Sequence, residues 1–275
     1  MRVFAKRLPT LVVTLALTAS LAPLSAQPLS DAERETFLRE AKIIRMKHVS
    51  VGITGTRRAT LSDGEFEHDA SVQTVDIAKP FHQTTSGMEA NFKDSYRYNI
   101  AAYRLDRMVD LGFVPVSVKR KVEGDSAAVV WWVDDVQMME KERYLKKIQP
   151  PDVEAWNRQM YQARIFNELI YNTDPNLGNI LITDDWRLKM IDFTRAFRIW
   201  NRLREKKNLE DLQVDRRFLA GLRALTAEAI EEKLGDILLK SEKKGLLARR
   251  DLIVAIIDEQ IARRGEDKVL VDIPR

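Results

Sequence analysis

The chain has 275 residues, 45% of them apolar and 31% charged, enough to bury one large core or two lobes sharing a cleft, which excludes the disordered and fibrous classes. With no cysteine it can form no disulfide, thiolate zinc site or cysteine nucleophile, and three scattered histidines (His48, His68, His82), each read as a surface or strand residue, argue against a His-rich metal centre or a Ser/His/Asp triad. Its 45 basic residues stand against 41 acidic ones, a balance that the N-terminus changes.

That N-terminus, "MRVFAKRLPTLVVTLALTASLAPLSAQ", places Arg2, Lys6 and Arg7 before an uncharged Leu/Val/Ala/Thr stretch that ends in small residues at Ser25 and Ala26. This is the layout of a secretory signal peptide over 1–26, with cleavage after Ala26; an uncleaved anchor is the alternative, but Pro9 and Pro23 leave the apolar run short for a span. Cleavage removes three basic residues and no acidic one, leaving 42 against 41. The electrostatic case for nucleic-acid binding disappears with it.

From Ser30 to Lys47 the pattern predicts a helix: Ser30 and Glu33 fit a capping box, and Phe37, Leu38, Ala41, Ile43 and Ile44 recur at helical spacing. An N-terminal helical segment is therefore expected over 27–48. Residues 49–76 alternate on both sides of Asp63-Gly64, a strong hairpin signal. "DSYRYNIAAYRLDRMVDL" (94–111) reads as a second helix closed by Gly112, followed by the strands "VPVSVKRKV" and "SAAVVWWVDD" joined at Glu123–Asp125. The second of these strands is apolar on both faces and is expected in the middle of a sheet, with Trp131 and Trp132 as packing residues.

"DDVQMMEKERYLKKI" then makes a connection and a surface helix with ion pairs such as Glu142 with Lys146. Pro150-Pro151 marks a break, and Asp152 caps a long helix carrying Val153, Trp156, Met160, Ala163, Phe166 and Ile170. After "NTDPNLGN" comes a short hairpin, "ILIT" and "RLKMIDF", turning at Asp184-Asp185. The remainder, from about Val214, is helical, interrupted by "REKKNLED" and "KSEKK". The expected class is α+β: a small antiparallel β-rich lobe over 49–137 and a mainly helical lobe over 138–275.

The chemistry concentrates in "YNTDPNLGN" and "IDFTRAF". Asp174 lies five residues before Asn179, and Asp192 follows thirteen residues after Asn179 at the end of a strand. Turn-forming residues collect Asp, Asn and Pro for structural reasons alone. A carboxylate beside an acceptor hydroxyl, with an amide oxygen and a second carboxylate on a divalent cation, is also what phosphoryl transfer needs.

These segments resemble the protein-kinase-like superfamily, whose catalytic loop H-R-D-x-x-x-x-N is followed by D-F-G with the same spacing. The "NTD" loop and the "RAF" segment look closer to its atypical branch: HipA-like kinases, type II phosphatidylinositol 4-kinases, and the secretory-pathway kinases that include the Golgi casein kinase. "NIAAYRLDRMVDLGFVPVSVKR" is especially similar to the last group. The resemblance, over about 49–200, implies a two-lobed kinase-like fold, ATP or another nucleotide, Mg or Mn, Asp174 as catalytic base, and Asn179 and Asp192 on the metal.

Departures accompany the matches. Where active kinases have a strand lysine paired with a helix glutamate, this chain has Gln73 and Asn99; a neutral pair can hydrogen-bond but supplies no cation. Lys79, at the same strand parity as Gln73, could substitute if the strand runs that far. Thr194 replaces the glycine of D-F-G, and no His-Arg precedes Asp174. "GITGTRR" offers Gly52 and Gly55 either as a phosphate cradle or as a plain bend. Three functional classes stay open: an exported, metal-dependent phosphotransferase acting on an unidentified hydroxyl acceptor, a pseudokinase that binds or regulates, and a non-catalytic α+β module. The lack of cysteine and of N-x-S/T sequons fits a periplasmic protein.

Overall fold

The computed structural model describes residues 29–49, 55–84 and 87–274. The expected signal segment and Gly52 lie outside these residues.

The first helix, α1 (Asp31–Glu40), starts as the sequence indicates: Ser30 Oγ accepts from the Glu33 N–H while the Glu33 carboxylate accepts from the Ser30 N–H. It stops much earlier than expected. Residues from Lys42 form strand β1 (Lys42–His48) instead, paired antiparallel with β2 (Arg57–Ser62). The pairing skips Ile44, so a bulge there places the two half-buried residues Ile43 and Met46 three positions apart. A bulged edge strand thus carries the apolar spacing of a helix, and its exposed Lys42, Arg45 and Lys47 suit a sheet edge. Arg120 accounts for the helix end, donating to the carbonyls of Leu38 (3.0 Å) and Ala41 (2.7 Å).

The Asp63-Gly64 turn joins β2 to β3 (Glu67–Gln73), with Asp63 Oδ1 accepting from the N–H groups of Glu65 and Phe66. A second hairpin, which the sequence pattern does not announce, follows: β4 (Asp76–Thr84) and β5 (Gly87–Ser95). Helix α2 (Arg97–Met108) comes next and ends with Asp110, not Gly112, as the first left-handed residue after it (φ +49°). Strands β6 (Ser117–Val122) and β7 (Asp125–Trp131) complete a five-stranded antiparallel sheet of order β1-β2-β3-β7-β6, with β7 interior as its apolar run required.

Trp131 is half-buried and stacks on His68, ring centroids 3.7 Å apart, while Arg58 lies 4.2 Å over Trp132. Both tryptophans pack, as expected, though neither is fully enclosed.

The large lobe opens with β8 (Val136–Met139) and α3 (Glu140–Lys146), whose Glu142–Lys146 pair forms as the sequence suggests (2.6 Å). Helix α4 (Val153–Leu169) is capped by Asp152, which accepts from the Ala155 N–H. Strands β9 (Ile180–Thr183) and β10 (Leu188–Met190) form the short hairpin, with β8 added to its edge. Then β11 (Val214–Asp215), α5 (Arg216–Ala224), α6 (Ala227–Leu234), α7 (Lys240–Arg264), α8 (Glu266–Val269) and β12 (Leu270–Val271) complete the described chain. "KSEKK" does not interrupt the helices but begins α7.

One continuous core runs through both lobes, from Val72 and Val129 in the sheet through Ile100 and Leu105 of α2 to Phe166, Phe193 and Phe218. Polar bonds reinforce the junction: Met190 N–H donates to the Phe113 carbonyl (3.0 Å) and Lys189 Nζ to the Gly112 carbonyl (2.8 Å). Asp106 explains the "LDR" segment. Its buried carboxylate accepts from the N–H groups of Gly112, Phe113 and Val114, holding the turn from α2 into β6, and pairs with Arg107, which also reaches Asp31 of α1 (2.6 Å). No helix among the described residues is long and apolar enough to cross a membrane.

Candidate active site

Helix α4 leads into the "YNTDPNLGN" loop. Its C-terminus is followed by Tyr171 in the left-handed region (φ +47°) and by Asn172, whose side chain donates to Asn167 Oδ1 (2.9 Å) and accepts from the Asp174 N–H (3.0 Å). Thr173 fastens the loop to the segment after Asp192, both its N–H and its hydroxyl donating to the Arg195 carbonyl at 3.2 and 3.0 Å. Asn172 and Thr173 therefore hold the backbone at the positions where a kinase has His-Arg.

Asn179 joins the two acidic residues. Its side-chain amide donates to the Asp174 carbonyl (3.4 Å) and its own carbonyl accepts from the Ile191 N–H (2.9 Å), the residue before Asp192. The β9–β10 hairpin thus brings Asp174, Asn179 and Asp192 to one end. All three side chains are half-buried.

Asp192 has φ +57°, a left-handed conformation uncommon outside glycine and concentrated at functional sites. Burial pushes its carboxyl above the usual carboxylate range; hydrogen bonds from Thr194 oppose the rise, the Asp94 charge adds to it, and a hydrogen bond from Gln73 opposes it again. The residue that replaces the usual glycine, Thr194, thus supports the acid directly, its hydroxyl donating to Asp192 Oδ1 (3.1 Å).

Gln73 and Asn99 meet as a neutral pair. Asn99 Nδ2 donates to Gln73 Oε1 (2.5 Å), and Asn99 Oδ1 accepts from the Phe193 N–H (2.8 Å). The Gln73 amide donates to Thr56 Oγ1 (3.0 Å) and to the Asp192 carboxylate. This amide chain ties the end of the β1–β2 connection, α2 and the Asp192 segment together.

Lys79 does not join that set. The strand does not run on to it: β3 ends at Gln73, and Lys79 sits exposed on β4 opposite Phe92. Gly55 adopts φ +64°, with no atom within 4 Å of where a Cβ would stand, so it meets a backbone need and leaves open space beside it.

Sequence reasoning missed two residues beside the site. Arg198, fully buried, donates to Glu89 of β5 (2.9 Å) and to Thr173 Oγ1 (3.2 Å), linking the second hairpin to the residue before Asp174. Asp94, at the end of β5, faces the same segment, and its Oδ2 lies 4.0 Å from Arg195 Nε. Neither belongs to a periodic pattern; their partners across the hairpin are about a hundred residues away.

A small antiparallel lobe carrying α1 and α2, a connection through β8, and a helical lobe presenting this loop and hairpin at the cleft is an arrangement with known counterparts. The fold is kinase-like, mixed α+β. The chain is similar to the Golgi casein kinase (14% identity, TM-score 0.64, covering 89% of this chain and 79% of that one). The same holds for the Golgi casein kinase with Mn/ADP bound (13% identity, TM-score 0.62, 88% and 78%) and for hydra Fam20 with sugar (12%, 0.62, 88% and 92%). No protein-family model and no curated protein sequence matches. This kinase-like likeness covers most of the chain, well beyond the resemblance in the sequence over 49–200.

Proposed function

We propose that the protein is an exported, metal-dependent phosphotransferase that moves a nucleotide phosphoryl group to a hydroxyl acceptor. The observation that carries this reading is the meeting of Asp174, Asn179 and Asp192 at one end of the β9–β10 hairpin in a kinase-like fold. Asp174 accepts the proton of the acceptor hydroxyl as its oxygen attacks the γ-phosphorus, and the bond to the β–γ bridging oxygen breaks.

The donor set fits a hard divalent cation: a carboxylate from Asp192 and an amide from Asn179, with phosphate and water oxygens completing the shell. When bound, such a cation neutralises phosphate charge. Export rests on the N-terminal sequence, and the stretch with Gly52 and Gly55 is the candidate phosphate loop.

The Gln73–Asn99 pair favours a second reading, a catalytically impaired pseudokinase that acts as a binding or regulatory module. Isothermal titration of the chain from Gln27 with ATP, with and without Mg or Mn, tests the proposal beside Asp192→Ala. Metal-dependent binding lost in the variant supports the site; transfer to a hydroxyl acceptor separates the enzyme from the pseudokinase. Absence of any nucleotide or metal binding sinks the phosphotransferase and leaves a pseudokinase or a fold put to another use.

A further inference from the structure

Asp94 is held against the Asp192 segment by main chain. The N–H of its neighbour Ser95 donates to the Thr194 carbonyl (2.8 Å), two residues past Asp192, and Phe92, two residues before Asp94, lies beneath the Arg195 guanidinium (5.0 Å). The Asp94 side chain is only 16% exposed. Its Oδ2 has Arg195 Nε at 4.0 Å, beyond hydrogen-bond reach, and its Oδ1 is enclosed with no hydrogen-bond partner. An enclosed carboxylate oxygen without a donor is costly, and a second carboxylate nearby raises that cost.

The surrounding residues do not relieve it. Asn99 has both ends of its amide committed, to Phe193 and Gln73, and Gln73 brings no charge. Lys93, the neighbour of Asp94, is turned away to the buried Glu242. Arg195 is the cation that Asp94 does meet, and that loose contact reaches only one of its oxygens.

We propose that Asp94 is an additional ligand of the divalent cation at this site, its free Oδ1 supplying a second carboxylate beside Asp192. This rests on the metal-nucleotide reading above and deepens it. In a site without the lysine–glutamate pair, the carboxylate enters from the end of β5, and the neutralisation of phosphate that the lysine would have given falls to the metal. The donors remain hard oxygens, so the cation class is Mg or Mn.

The competing account makes Asp94 a counter-ion for Arg195 and nothing more. Mn²⁺ titrated into the protein with ADP, followed by calorimetry and by the electron paramagnetic resonance of free Mn²⁺, separates the two. Asp94→Asn is expected to weaken Mn²⁺ binding at least about tenfold, with its thermal midpoint held or raised because a like charge has gone. Wild-type Mn²⁺ affinity in Asp94→Asn, beside loss of affinity in Asp192→Asn, overturns the role of Asp94 and leaves the site standing. No Mn²⁺ binding by the wild type with ADP overturns both. If Asp94→Asn does not fold, Asp94→Ser decides: weakened Mn²⁺ binding supports the ligand role, and wild-type affinity overturns it.

Discussion

Where α2 faces the cleft it meets the large lobe through neutral amides; where the same helix faces α7 its Tyr98 hydroxyl donates to a glutamate that is itself paired, buried, with a lysine of β5. On the cleft side, Asn99 bridges Gln73 and the Phe193 N–H without a charge. On the far side, the fully buried Glu242 of α7 accepts from Tyr98 of α2 (2.6 Å), from the Leu239 N–H (2.7 Å) and from Lys93 of β5. Burial, with the Glu242 charge second, pushes the Tyr98 hydroxyl well above its usual range, so it stays a donor at any working pH. A protein-kinase-like fold thus keeps its helix seated without the lysine–glutamate pair in the cleft, because Glu242, paired with Lys93 of β5, holds the same helix from behind through Tyr98.

The heaviest blow to that division is Glu242→Ala, which leaves the Lys93 ammonium buried and unpaired. It should cost about 3–5 kcal/mol in urea denaturation, and Lys93→Met combined with Glu242→Leu should recover most of that. Full stability in Glu242→Ala would show that the far junction is ornamental. Asn99→Ala on the cleft side strands Gln73 Oε1 and the Phe193 N–H and should cost about 1–3 kcal/mol by the same measurement. A cost above that of Glu242→Ala would reverse the order of the two junctions.

Exchanging the chemistry sharpens the comparison further. Gln73→Lys with Asn99→Glu rebuilds an ion pair at the cleft and should tighten ATP about tenfold in calorimetry, with little change in stability, since α7 already seats α2. Weaker ATP binding would mean that the amides themselves contact the nucleotide. The smallest effect is expected at the surface: both partners of Glu142–Lys146 are exposed, and Glu142→Ala should shift the unfolding free energy by no more than about 0.5 kcal/mol.

What the sequence makes legible is local. The Ser30–Glu33 box, the Asp63-Gly64 turn and the Asp152 cap rest on bonds spanning three residues, and the loop carrying Asp174 and Asn179 has one of five beside its longer ties to Ile191 and Arg195. The resemblance carries the fold further, through "NIAAYRLDR", whose aspartate proves to hold the turn after α2. Strand β1 reads as helix because a bulge at Ile44 gives it the apolar period of one. The β4–β5 hairpin escapes notice because its inner residues answer to partners far along the chain: Lys93 to Glu242, Glu89 to Arg198. Such pairs leave no period to find.

The Glu242 junction also governs how the chain can be made. Lys93 and Tyr98 leave the ribosome 149 and 144 residues ahead of the carboxylate that satisfies them. The five-stranded sheet can pair early, yet the hairpin and helix beside it stay unfinished until α7 arrives. A fragment ending before Lys240 should therefore hold a buried-type lysine without its anion and be prey to proteases, although every strand of the small lobe is present. Synthesis closes this fold from its far end, and any truncated product is exposed at the face of α2 turned away from the cleft.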